Sequence, residues 1–264
     1  MTSQAADQGS LLNQSWLQAI RLLIRWRRDR AVLMGSLLLP VFLLLLYQVV
    51  LGEQVRKVTG VDSLYGLVPF CAVLSALFGA LGNAVGITMD RQSGLLSRMW
   101  VLPVHRASAL TGRLTAEAAR ALVGTVLITA LGVMMGLRFK HGVAGALLYI
   151  LIPSIMVLGF TALVIALVLR TTSPAVLTWI MGGTVTLAFV NPGTTPIGMF
   201  PDWLRPFVRV QPISPPIEAM RSLAYDGPIV WPLAMTVAWT VVMLALFVPV
   251  GLRGYRICAE TSNL

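Results

Sequence analysis

Side chains able to do chemistry are sparse in this chain, and their spacing excludes most reactions. Phosphate binding by a P-loop requires G-x-x-x-x-G-K-[ST], and no such run occurs. Catalysis inside a membrane would require paired carboxylates, a His and metal cluster, or a nucleophile beside a base, and the apolar runs carry none of these. The two histidines, His105 and His141, read as ordinary polar loop residues. The two cysteines, Cys71 and Cys258, make no metal site, and in the topology derived below they lie on opposite faces of a membrane and cannot pair. The strongest signal is DRQSGLLSRMWVLPVHRASALTG, Asp90 to Gly112. Asp90 and Arg91 close an apolar run, Gly94 allows a sharp bend, and Leu95, Leu96, Met99, Trp100 and Leu102 form an apolar stripe beside Arg98 before Pro103 breaks the helix. A mere connector has little use for Trp100 and Met99. The segment reads as a helix that docks in a groove of a partner, or as an amphipathic helix resting on lipid.

The elements that carry this loop follow from composition. Hydrophobic residues make up 57% of the 264 and charged ones 11%, with mean hydropathy +0.82; a soluble core of this length could not absorb that, since soluble domains carry roughly 25% charge. A bilayer crossing needs about 20 apolar residues. Windows free of Asp, Glu, Lys and Arg occur at 31–51, 64–89, 121–137, 142–169, 171–190 and 232–252. The fold class expected is therefore an all-α membrane protein with six transmembrane helices.

Most of the 20 Lys and Arg residues fall on the side that would hold both termini, which predicts both termini cytoplasmic in the inner membrane. The net charge of +10 reflects this bias and contact with anionic lipid rather than nucleic acid. The first apolar run begins too late and runs too long for a cleaved signal, so it is expected to stay as an anchor.

Residues 1–14 are polar and read as a loose N-terminus. Residues 15–30 place Trp16, Ile20, Leu23 and Ile24 on one stripe and Gln18, Arg21, Arg25 and Arg28 on another, which suits a helix in the membrane interface or one packed on a cytoplasmic partner. The six-span domain covers 31–252, with a cytoplasmic loop at 90–113 and an outer region at 191–231, and residues 253–264 form a cytoplasmic tail. In the outer region Pro201 starts one short helix with Trp203 and Phe207, and Pro215 and Pro216 suit the first turn of another. Too short to cross and too apolar for free loops, they read as interfacial or re-entrant helices capping the outer mouth. Asp202, Glu218 and Asp226 there read as caps and ion-pair partners.

Small residues spaced by four, Ser75, Gly79 and Asn83, allow close helix approach, as packing or as a dimer seam. Asn83 is the deepest polar group of its span and should hydrogen-bond a neighbour or line a cavity. Glu117 and Arg120 read as a pair at a span edge. Trp179, Gly182, Gly183, Thr186 and Phe189 give the fifth span an apolar, lightly polar wall suited to a lipid or amphipathic drug. Without ionisable groups at span centres, external energy is favoured over ion coupling. A stand-alone secondary transporter, or a membrane scaffold of an envelope lipid complex, remains the competing reading.

The loop resembles the signature of ABC-2-type permeases: Asp90 and Arg91, Gly94, Leu95 to Leu102, Pro103, then Gly112 and Arg113, with Gln92 departing from a second acidic residue. The segment from Met199 to Pro228 is similar to that of daunorubicin-resistance-type permeases of actinobacteria, including exporters of complex lipids. The resemblance implies a permease subunit of an ABC exporter, not itself an enzyme. It implies a homodimer or heterodimer of permease chains and two separate ATPase subunits that carry ATP and Mg. It implies that Gly94 to Pro103 is the coupling helix, with the amphipathic helix beside it, and that substrate passes between the second and fifth spans of the two halves.

Overall fold

The structure, a computed structural model, describes residues 11–28, 30–92, 108–171, 174–195 and 197–261. These residues are helical throughout apart from turns: α1 (Leu11–Arg28), α2 (Arg30–Thr59), α3 (Leu64–Gln92), α4 (Ser108–Met134), α5 (Gly142–Arg170), α6 (Pro174–Phe189), a 3-10 turn (Ile197–Met199), α7 (Arg205–Val210), α8 (Ser214–Ala224) and α9 (Val230–Thr261). Of the segment expected to dock a partner, Gly94, Leu95, Leu96, Arg98, Met99, Trp100, Leu102 and Pro103 lie outside the described residues. Asp90 and Arg91 lie in the last turn of α3.

Four described helices are long and apolar enough to cross a membrane: 64–90, 110–134, 142–170 and 230–254. The chain is thus an all-α, multi-span membrane protein. The other two expected spans map to α2 and α6, whose described apolar runs, 35–50 and 178–189, are shorter. At 1.5 Å per residue α6 is about 24 Å long, less than the roughly 30 Å of a bilayer's hydrocarbon core.

The third span differs from its charge-free window at 121–137. Its helix begins at Ser108, so Arg113, Glu117 and Arg120 sit within the apolar stretch 110–134 instead of before it or at its edge. Charges are tolerated there because each finds a partner inside the bundle.

Two ends can be distinguished. At the proximal end α1 lies along α4, α3 ends and α4 begins. Ser15 hydrogen-bonds Thr111 across the α1–α4 contact, Oγ to Oγ1, at 2.6 Å. A Cβ on Gly112 would stand 2.6 Å from the Gln18 Cβ, so glycine is what lets the two helices touch. α1 turns Ser15 and Ala19 inward and leaves Trp16 and Ile24 of its apolar stripe, with Leu17 beside them, exposed.

At the distal end α8 is wedged against α3, α5 and α9, with Pro215, Pro216, Ile217, Met220 and Leu223 buried. Its prolines occupy the first turn, where a missing N–H costs nothing. The α4–α5 turn covers its C-terminal carbonyls: the Lys140 N–H donates to Ala224 O at 3.0 Å, and His141 Nδ1 lies 3.1 Å from Leu223 O. Lys140 also stands 3.8 Å from the ring centre of Tyr225 and 3.8 Å from Asp226, and Asp202 pairs with Arg205 at 2.5 Å. Gln211 ties the helix start to the end of α6, its Nε2 donating to Val190 O and, at 3.0 Å, to Ser214 Oγ. The α7 region lies outside this wedge: Pro201, Trp203 and Phe207 are exposed.

Candidate functional site

At the proximal end α1, α2, α3, α4 and α6 surround a cavity of about 420 Å³, within the range of ligand pockets. Its walls are mostly apolar, with Leu22 and Leu23 from α1, Phe78, Leu81, Val85 and Met89 from α3, and Met181 from α6. Gly79, Gly82 and Gly86 leave a strip of α3 without side chains. The polar end is built by Asn83 and by Arg113, Glu117 and Arg120 of α4. Spacings of four and three put those α4 residues on one helical face.

Two buried ion pairs organise that polar end. Arg113 Nη2 donates to Asp90 Oδ2 at 2.5 Å, and its Nη1 donates to Asn83 Oδ1 at 2.8 Å. Both charged side chains are nearly inaccessible, 8% and 5% exposed. Arg120 donates to Glu117 Oε2 through Nε at 2.8 Å and through Nη2 at 2.5 Å, and Nη2 also reaches the Ala76 carbonyl at 3.4 Å. The Arg120 guanidinium lies directly on the α3 backbone, where a Cβ on Gly79 would fall inside it. Gly79 is therefore the seat of Arg120, and any side chain there would displace the pair. Among the described residues no three His, Cys, Asp or Glu side chains gather closely enough to hold a metal ion.

The residues singled out from sequence divide accordingly. Gly79 and Asn83 line the cavity, and Asn83 does so while bonding Arg113. Ser75 does not: it is buried, and its Oγ would stand 3.0 Å from a Cβ on Gly124 of α4, which makes it part of the helix–helix packing. On α6, Trp179 is 80% exposed, and Gly182 and Gly183 face open space. Thr186 bonds its own helix at the Gly182 carbonyl, and Phe189 packs edge-on against Phe70 at 5.5 Å. None of these five borders the cavity; Met181 does. Sequence reasoning passed over Arg113, Glu117 and Arg120 as cavity residues because charge was taken to end the span. Their shared face on one helix was the available signal.

The fold and site define an all-α, multi-span membrane protein with a ligand-sized, partly polar cavity among its helices. Residues 13–225 match the ABC-2 type transporter family, and the chain belongs to that family. It is 36% identical over 244 residues to the Mycobacterium tuberculosis protein named "Probable doxorubicin resistance ABC transporter permease protein DrrC", covering 92% of this chain and 88% of the relative. It is 31% identical over 203 residues to the doxorubicin resistance ABC transporter permease protein DrrB of the same organism, covering 71% and 69%. It is 22% identical over 262 residues to the daunorubicin resistance ABC transporter permease protein DrrB1 of Streptomyces coeruleorubidus, covering 96% and 88%. The chain is accordingly the membrane permease component of an ABC transporter and not itself a catalytic ATPase.

Family membership sets aside the stand-alone secondary transporter. Arg113, Glu117 and Arg120 do lie in the first half of the apolar stretch 110–134 of α4. Their charges are consumed in ion pairs.

Proposed function

We propose that this chain is one half of the channel of an ATP-driven exporter that moves a hydrophobic or amphipathic substrate, a complex lipid, glycolipid or drug, across the cytoplasmic membrane. The observation that carries the reading is the proximal cavity, apolar over most of its wall and polar at one end, which matches a molecule with a long apolar body. The resistance-permease names of the relatives support the same substrate class. On this reading the proximal end and both termini are cytoplasmic, and α2 and α6 complete six crossings. Substrate loads between α3 and α6, and α7 and α8 cap the outer mouth.

Energy enters through the segment from Gly94 to Pro103, acting as a coupling helix on two separate ATPase subunits that hold ATP and Mg. A second permease chain, alike or unlike, covers the exposed face of α6 bearing Trp179, Gly182 and Gly183. Such a bundle rocks between states, and substrate shifts that equilibrium only by binding one state better.

The test is ATP hydrolysis by the purified complex in lipid. Hydrophobic substrates should stimulate it and hydrophilic ones should not; the reverse response would refute the assignment. Replacing Met99 and Trp100 together with Glu should release the ATPase subunit while leaving the permease folded. Unchanged co-purification and transport would place the docking surface elsewhere.

A further inference from the structure

The polar end of the cavity has hydrogen-bonding capacity left over, and its kind is specific. Arg113 spends its two terminal nitrogens on Asp90 and Asn83. Arg120 spends Nε and Nη2 on Glu117, and both bonds fall on the same carboxylate oxygen, Oε2. Among the described residues no hydrogen bond reaches Glu117 Oε1, and the side chain keeps 12% exposure where it lines the cavity. Asn83 accepts from Arg113 through Oδ1, which fixes the orientation of its amide. Its Nδ2 is left as a donor with no hydrogen bond among the described residues, on a half-buried side chain that lines the same cavity.

One spare acceptor and one spare donor thus border an apolar space. A hydroxyl gives and takes a hydrogen bond through a single small oxygen, so one such group, or two neighbouring ones, can satisfy both. The charge balance points the same way. Asp90 offsets Arg113 and Glu117 offsets Arg120, so a ligand bringing a net charge would place it uncompensated in a largely apolar cavity, which is costly. An uncharged hydroxyl leaves both pairs intact.

We propose that Glu117 Oε1 and Asn83 Nδ2 are the specificity-determining contacts of the cavity, reading the hydroxyl groups of an uncharged polar head on an amphipathic substrate. Arg120, seated on Gly79, is the positioning residue that turns Glu117 so that one oxygen faces the ligand. This inference rests on the cavity being the loading site.

The test uses the permease with its ATPase partner in lipid nanodiscs. Three probes share one saturated chain carrying a diazirine and differ only in the head: a glyceryl ether, a phosphate and a primary ammonium. Binding is read as photo-crosslinking to the cavity-lining peptides of α1, α3 and α4. The glyceryl ether should half-saturate at about ten-fold lower concentration than either charged probe.

The double substitution Glu117→Leu with Arg120→Met removes the pair without orphaning a charge and should reduce the preference to about two-fold while leaving crosslinking by the chain. Should that protein fail to fold, Asn83→Leu, which keeps the Asp90–Arg113 pair, must also weaken the glyceryl probe selectively. Equal or tighter binding of the phosphate or ammonium probe overturns the proposal, as does an undiminished preference in a folded variant. Crosslinking without any head preference removes this inference alone. No crosslinking by any probe removes it together with the cavity's role in loading.

Discussion

The two ends of the bundle solve opposite problems. At the distal end backbone meets backbone: α8 fills the space between α3, α5 and α9, and a recess lined by Ser63, Gly66, Gly193 and Arg221 holds only about 30 Å³. At the proximal end the helices stand apart around about 420 Å³, and the groups that bridge the gap are charged side chains reaching over glycine. A seal made of close packing has no room to admit a ligand. A frame made of ion pairs holds helices at a distance and keeps a polar surface in the gap. The chain thus places its rigidity at one end and its accommodating space at the other.

The largest expected effect comes from breaking the proximal frame. Arg113→Ala would remove the buried ion pair with Asp90, and losing one member of a buried pair costs about 3–5 kcal/mol. Thermal unfolding of the detergent-solubilised chain should register that loss. The double change Asp90→Leu with Arg113→Met, which removes both charges, should recover most of it. If Arg113→Ala is as stable as the parent, the pair does not hold the frame.

The distal seal can be probed with single methyl groups. A Cβ on Gly193 would stand 2.8 Å from the Gly66 carbonyl oxygen and 2.8 Å from Ile217 Cγ2, so Gly193→Ala should cost about 1–3 kcal/mol through overpacking. The same substitution at Gly182 or Gly183 of α6 meets open space in the isolated chain. There alanine should stabilise the helix by up to about 1 kcal/mol. Equal losses at Gly193 and Gly182 in denaturation would erase the contrast between the sealed end and the loosely packed helix. A loss at Gly182 that appears only in the assembled transporter would instead sharpen it, by locating a second chain on that face.

What could be read from sequence follows the same division. Continuous apolar windows gave α3 and α5 nearly to their ends and the apolar stretch 230–254 of α9, because burial and lipid both select uninterrupted hydrophobicity; the α9 helix itself runs on to Thr261, through residues read as a tail. α8 was legible from Pro215 and Pro216 followed by Ile217, Met220 and Leu223, since helix-start chemistry is local. The stretch 108–120 of α4, between three and four turns, was not, because Arg113, Glu117 and Arg120 look like the end of a span until Asp90 and the α3 backbone supply partners from far along the chain. For the same reason Gly79 and Ser75 could be paired by spacing but not separated by role. One seats a guanidinium and the other packs on Gly124. Which way the α6 wall faces was not legible, because the direction its side chains take depends on packing rather than on local sequence. Among the described residues of α6, Met181 lines the cavity.

The smallest expected effect lies within the seal, at the half-buried Glu218. Burial on α8 raises the pKa of Glu218 above its ordinary value near 4.5, and the charges of Arg209 and Arg221 pull it part of the way back. Because the folded pKa lies above the unfolded one, the folded chain binds more protons between the two values, and stability falls as pH rises through that interval. Below the interval both states are protonated and the full stability is present; above it the folded state must keep a carboxylate out of water. Unfolding measured across this range should therefore show the distal end weakening with rising pH. Glu218→Gln, neutral at every pH, should flatten that slope while leaving the proximal frame as it was. A slope that persists in Glu218→Gln would assign the titration to another group and leave the seal without a pH dependence of its own.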